Sequence, residues 1–263
     1  MNLQQLVETL SALLLARATT APFIFGVSGG QGAGKSTLCQ ALGERLARHD
    51  KTALTLSLDD FYLSKAAREE LATHVHPLCA TRGVPGTHDV GLLAETLKNL
   101  AKASTERPID LPRFSKSHDD RIAPAVLDYC PDFVFLEGWC VGGHSACIAS
   151  HPQNEWEKTH DPDAIWKSWS QSQAAAYQPI WAACQAMMLL RQEDFDAVIE
   201  SRWLQEQHNA AASGVWQFAD RAAVAAFCAH YESWTLGLWK DLAPRADFVI
   251  GRDAAYDYYS MRG

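Results

Sequence analysis

"GVSGGQGAGKST", Gly26 to Thr37, packs five glycines ahead of a lysine and two hydroxyls. Glycine is costly inside regular structure, so this cluster implies a backbone that bends closely around something. The run "FIFGVS" at 23–28 before it is short and apolar, and Leu38, Leu42 and Leu46 after it recur at helical spacing. The order is therefore strand, loop, helix. In that setting Gly29, Gly34, Lys35 and Ser36 satisfy GxxxxGK[ST]. The candidate cradle is Gly29, Gly30, Gln31, Gly32, Ala33, Gly34, Lys35, Ser36 and Thr37. Amides from Gly30 to Ser36 would converge on phosphate oxygens with the helix dipole behind them, Lys35 would reach the β and γ phosphates, and Ser36 would hold Mg²⁺.

Working outward, "TALTLSL" at 52–58 leads into "DDFYL", and "DFVFLEG" at 132–138 rises after Pro131 and stops at an acid and a glycine. Both read as strands, and Leu92, Leu93, Leu97 and Leu100 between them have helical spacing. Farther on, "AAAYQPIWAACQAMMLL" and "AVIESRWLQEQHNAA" read as helices, "RAAVAAFCAHYESWTLGLWKDL" as one long helix, and "ADFVIG" at 246–251 as a late strand. The expected class is α/β, a P-loop NTPase fold with a parallel sheet and helices on both faces, one domain over 1–263. In such a fold, ligands sit at the carboxyl ends of the strands. Residues 1–20 carry an amino-terminal helix, and 141–170, rich in His, Trp and Asp, an inserted loop or lid of short helices.

Composition excludes several classes. Of 263 residues 48% are hydrophobic and 21% charged, and no apolar run is long enough for a membrane span. A net charge of −8 argues against a nucleic-acid or anionic-membrane partner. The amino terminus lacks a basic start and carries Glu8, unlike a secretory signal. Seven cysteines without CxxC pairing suit reduced thiols and a cytoplasmic setting. His74, His76, His118, His144, His151 and His160 lack metal-ligand spacing, and Trp216, Trp234 and Trp239 read as helix packing. The guanine-reading NKxD peptide is absent, and "FLEGWC" stands where a GTPase would carry DxxG, so ATP with Mg²⁺ is the expected pair.

Phosphoryl transfer to a hydroxyl calls for a carboxylate opposite the γ phosphate. Asp59 and Asp60 follow the second strand, where at least one reaches the edge that carries the phosphate loop; a helix cap or solvated turn is the alternative for either. Glu137 closes the third strand in the position of a metal or substrate ligand, or of a surface acid.

"DDFYL" after a phosphate loop, followed by "RGVPGTHD", "LPRFSKSHDDR", "FLEGW" and "SRWLQEQ", resembles the plant-type D-glycerate 3-kinase family and its fungal and bacterial relatives, over about residues 23–251. These are similar in turn to phosphoribulokinase, uridine kinase and bacterial pantothenate kinase. The resemblance implies Asp59 as base, Glu137 beside metal and substrate, and Ser36, Asp59 and Glu137 as the metal set. Asp60, Tyr62, Arg82, His88, Asp89, Arg113, Lys116 and Arg121 become acceptor-pocket candidates, with Asp89 equally suited to cap the helix at Val90. A small carboxylate must be held by cations, which suits Arg113, Lys116 and Arg121. Arg202 falls on a lid helix where it would stabilise charge on the transferring group. Two departures stand out: Ser115 where plant members carry aspartate, and Gln185 where an acid is expected. The implied activity is phosphorylation of a small hydroxy acid, D-glycerate, to 3-phosphoglycerate. The alternatives are a kinase for pantothenate or a nucleoside, and a regulator that uses ATP without an acceptor.

Overall fold

The computed structural model of the chain describes residues 1–261. Its strands, in chain order, are β1 (Phe23–Gly29), β2 (Ala53–Ser57), β3 (Ile109–Ser115), β4 (Asp120–Leu127), β5 (Phe133–Gly138), β6 (Ala186–Gln192), β7 (Phe248–Arg252) and β8 (Tyr258–Ser260). Six of them form one sheet in the order β2-β5-β1-β6-β7-β8. All neighbours in it run parallel except β8, which returns antiparallel against β7. β3 and β4 form a separate antiparallel hairpin.

Residue parity explains why the sheet is covered on both faces. Phe23, Phe25 and Val27 of β1 join Phe133 and Phe135 of β5 and Met188 and Leu190 of β6 in one buried cluster. Helices α1 (Leu3–Arg17) and α2 (Lys35–Ala47) cover it with Leu6, Leu10, Leu14, Leu38, Leu42 and Leu46. The intervening residues, Ile24, Val134, Leu136 and Leu189, enter the larger cluster on the opposite face. Burial on both sides is the reason these strands read as continuous apolar runs. Asn2 starts α1 with a capping box: its side chain accepts from the Gln5 amide, and the Gln5 side chain accepts from the Asn2 amide, each at 3.0 Å.

The opposite face carries α3 (Lys65–His74), α4 (Val90–Leu100), α5 (Glu155–His160), α6 (Ile165–Gln173), α7 (Gln178–Ala182), α8 (Phe195–Ser213), α9 (Arg221–Ala229) and α10 (Glu232–Leu242). Two expectations are corrected here. The segment expected to be helical through "AMMLL" ends its helix at Ala182 and continues as β6, between β1 and β7. An apolar run buried on both faces has no period to separate strand from helix. Gln185, the departure noted above, accepts a hydrogen bond from the Ile24 amide at 2.7 Å and so fixes the entry of β6 beside β1. The expected single long helix is two, α9 and α10, parted at His230 and Tyr231. That break turns Tyr231 toward Arg82, whose carbonyl accepts from its hydroxyl at 3.0 Å, and sinks the His230 ring between Trp156 and Trp166.

Residues 141–170 form a 3-10 turn (Ser145–Cys147), α5 and α6. They pack into the larger core through Trp166 and Ile148, and are held by a buried pair, Lys167 Nζ to Glu157 Oε2 at 2.5 Å. Trp234 and Trp239 are core residues as expected, whereas Trp216 is exposed and packs only partly, against Trp203. No helix of the described residues is long and apolar enough to cross a membrane. The seven cysteines are free.

Candidate active site

β1 is central, so the turn at its carboxyl end opens in the middle of the sheet edge. There the chain bends through Gly32 at φ +68° and Gly34 at φ +94°, conformations that side chains rarely adopt. A Cβ on Gly32 would come within 2.7 Å of the Ser201 main chain, so the loop is pressed against α8. Gly34 then caps α2, and its neighbour Lys35 donates to the carbonyls of Gly29 at 2.8 Å and Gly30 at 3.0 Å. Arg252, at the end of β7, braces the loop from behind by donating to the Gly32 carbonyl at 3.0 Å and to the Ser201 hydroxyl. Gln192 adds a bond to the Gln31 carbonyl at 2.9 Å.

Beside this loop β2 ends in a 3-10 turn, Leu58–Phe61, which sets Asp59 at the same edge. Tyr62 donates its hydroxyl to Asp59 Oδ1 at 3.0 Å, and Lys116 Nζ lies 2.6 Å from Oδ2. Burial by itself would raise the Asp59 carboxyl, but the Lys116 ammonium and its hydrogen bond, with His88 and Lys35, outweigh it and lower the group to about 2. From the end of β5, Glu137 accepts from the Ser36 hydroxyl at 3.2 Å. Among the described residues no group of three or more His, Cys, Asp or Glu could hold a metal ion. A hydroxyl and a carboxylate beside a phosphate loop nevertheless fit Mg²⁺, which takes one or two protein oxygens and completes its shell with water and substrate phosphates.

These groups open into one cleft of about 1010 Å³. Gln31, Gly32, Gly34, Lys35, Ser36 and Thr37 line it from the loop; Asp59, Asp60, Tyr62, Arg82, Lys116, Glu137 and Arg202 line it from elsewhere. Among the described lining residues none comes from 141–170. Arg202 pairs with the buried Glu206 at 3.1 Å and lies 5.1 Å over the Phe218 ring, which joins α8 to the segment before α9. Arg82 is bound to Asp119 and lies 5.6 Å over Phe114.

Of the other expected residues, Asp60 is itself part of the wall, whereas Arg113, Asp89, Arg121 and His88 stand behind it. Asp60 accepts from Arg113 and from the Phe114 amide, both at 3.1 Å, so Asp60 and Arg113 tie the β3–β4 hairpin to the turn after β2. Asp89 caps α4 through the Leu92 amide and also pairs with Arg121 at 2.9 Å. Arg121 donates in addition to the Tyr62 carbonyl at 2.8 Å. His88 is buried: its ring stacks on Tyr62 at 4.4 Å, and its Nδ1 meets the Tyr177 hydroxyl at 2.8 Å. Burial, opposed by Asp59, pushes His88 down to about 4, so the ring is neutral. These residues position Tyr62 and the hairpin.

Aromatic walls are what the sequence did not disclose. Phe114, Trp139, Phe218, Phe227 and Tyr231 line the cleft, as do Ser201 and Arg252. Trp139 directly follows the Glu-Gly pair and Phe114 lies inside the basic run, so their neighbourhood was a usable signal. Phe227 and Tyr231 sit in helical runs where an aromatic residue reads as core.

No family model matches the chain. Over 224 residues, 80% of this chain and 78% of the relative, it is 32% identical to an uncharacterized kinase, mug58, of Schizosaccharomyces pombe. It is 34% identical over 131 residues to the chloroplastic D-glycerate 3-kinase of Arabidopsis thaliana, a match that spans 46% of this chain and 29% of that enzyme. The D-glycerate 3-kinase of Cryptococcus neoformans superimposes with a TM-score of 0.77 over 97% of this chain and 99% of that one, at 20% identity, a likeness of fold. With the phosphate loop at the centre of the sheet edge and most of both chains matched in the fission-yeast kinase, the chain belongs to the same family of P-loop kinases as that protein and is a phosphotransferase acting on a hydroxyl group.

Proposed function

We propose that the protein transfers the γ phosphate of ATP to the 3-hydroxyl of D-glycerate, forming 3-phosphoglycerate and ADP. The observation that carries this reading is the placement of Asp59 and Lys116, in contact at 2.6 Å, in one cleft with the phosphate loop: a carboxylate and an exposed cation beside a triphosphate cradle. The acceptor oxygen attacks the γ phosphorus, the bond to the β–γ bridging oxygen breaks, and the hydroxyl proton passes to Asp59. Transfer through a loose transition state asks for position and charge more than for a strong base, so an ionised carboxylate in line with the phosphorus suffices. Lys35 and the loop amides offset the developing negative charge, and Arg202 adds to them. Ser36, Glu137 and Asp59 are the oxygens that would hold Mg²⁺, which supplies neutralisation of the β and γ oxygens when bound. Tyr62 and Arg82 complete the acceptor wall.

The test is an acceptor panel with Mg-ATP. D-glycerate should drive ADP formation and gain a phosphoryl mass, while L-glycerate, pantothenate and uridine should not. Phosphorylation of pantothenate or uridine in place of glycerate would transfer the reading to that acceptor. ADP formation that no acceptor stimulates would replace it with that of an ATP-driven regulator.

A further inference from the structure

The cations at the acceptor end divide by what holds them. Arg113 is committed to Asp60, and Arg121 to Asp89 and the Tyr62 carbonyl. The buried Arg68 serves the carbonyls of Leu63, Ala80 and Asp119. Arg82 reaches the cleft but is tied to Asp119, with its own carbonyl held by Tyr231. Lys116 differs. It sits in the turn between β3 and β4, its side chain is 58% exposed, and its partner is Asp59 itself.

That contact has a chemical consequence. Tyr62 occupies Asp59 Oδ1 and Lys116 occupies Oδ2, so both carboxylate oxygens are engaged. Each oxygen keeps a second lone pair, but an acceptor hydroxyl must share it with a partner already there and has an oxygen to itself only if one partner yields. Tyr62 is buried and stacked on His88, whereas Lys116 is a flexible stem on a hairpin turn, so the lysine is the one free to move. A carboxylate separated by a single carbon from the carbon that bears the hydroxyl offers the ammonium a new partner beside its old one.

We propose that Lys116 makes the site selective for anionic hydroxy acids: it rests on Asp59 until the acceptor's carboxylate draws it away, so a neutral alcohol leaves the base covered. This deepens, and rests on, the proposed glycerate reading. Lys116 is a specificity residue that holds the acceptor and uncovers the base in one movement.

The experiment compares D-glycerate with its neutral amide, D-glyceramide, at saturating Mg-ATP, for the wild type and for Lys116→Met and Lys116→Arg. One charge-assisted hydrogen bond is worth roughly a tenfold to hundredfold change, so the wild type should favour glycerate in kcat/KM by about that factor. Lys116→Met should raise the glycerate KM by a similar factor while kcat/KM for glyceramide holds or rises, and Lys116→Arg should restore most of the preference. A merely structural role would depress both acceptors together. If Lys116→Met lowers both equally and keeps their ratio, the inference fails and the glycerate reading stands. If the wild type accepts glyceramide as readily as glycerate, the inference fails in the same way. If the wild type phosphorylates neither glycerate nor another hydroxy acid, the substrate reading falls and takes the inference with it.

Discussion

The proposed phosphate end of the cleft comes from one continuous stretch, Gly29 to Thr37, while its proposed acceptor end is assembled from the turn after β2, the β3–β4 hairpin, Arg82, α8 and the break between α9 and α10. The first end works mainly through backbone: amides, two glycines at positive φ, and a helix terminus. The second works through side chains whose partners lie far apart in the chain, such as Arg121 with Asp89 or Tyr231 with Arg82. A backbone site tolerates changes around it so long as the bend survives. A side-chain site changes chemistry with every substitution, which is how a shared phosphate loop can serve kinases with different acceptors.

Asp59 stands at the seam, and its loss should have the largest effect. Asp59→Asn should lower acceptor-dependent ADP formation by roughly 10² to 10⁴-fold, the usual reach of a general base, while nucleotide affinity measured with a fluorescent analogue persists. Unaltered turnover would remove Asp59 from the mechanism.

The two ends should then separate. Gly32→Ala forces a side chain into φ +68° and against the Ser201 backbone. Strain of about 1 to 3 kcal/mol translates into roughly a 5-fold to 150-fold rise in the ATP KM, and the acceptor KM should hardly move. Arg121→Ala removes the brace on Tyr62 and Asp89 at a half-exposed site, so the acceptor KM should rise about fivefold while the ATP KM stays put. Equal changes in both constants for either variant would dissolve the distinction.

The effect most remote from the chemistry concerns acid stability. Burial holds His88 at about 4 and His230 at about 3, both below the ordinary histidine value. A depressed folded pKa means that the unfolded chain binds the proton first, so this contribution is intact above pH ~6.5 and is lost as pH falls toward those values. Each histidine should cost up to about 1.4 kcal/mol per pH unit in that window. Melting curves from pH 7 to 5 should show the decline, and His230→Leu, at a core residue that does not itself line the cleft, should make it shallower. A slope unchanged in that variant would mean that His230 is not kept neutral.

Legibility followed the same division. The order of strand, loop and helix around Lys35 was readable because glycine spacing and the i, i+4 leucines are local signals. Asp59 and Glu137 were readable as acids that close apolar runs. Arg113, Arg121 and His88 were expected to line the acceptor pocket, yet each stands behind the cleft wall: a basic run does not say which of its members a hairpin turns outward, and nothing near His88 in the chain reports that Tyr62 and Tyr177 bury it. The strand in "AMMLL" and the break at His230 escaped for a different reason: a doubly buried run has no polar face to report its period, and the break is enforced by the partners that Tyr231 and His230 find across the fold.

By itself the sequence determined the phosphate loop, the alternating α/β order and the acids at the strand ends, because each depends on neighbours a few residues away. Only the tertiary structure decided which cations line the cleft and that Lys116 rests on Asp59, because the latter contact joins residues fifty-seven apart in the chain and exists only once the hairpin has docked against the sheet edge.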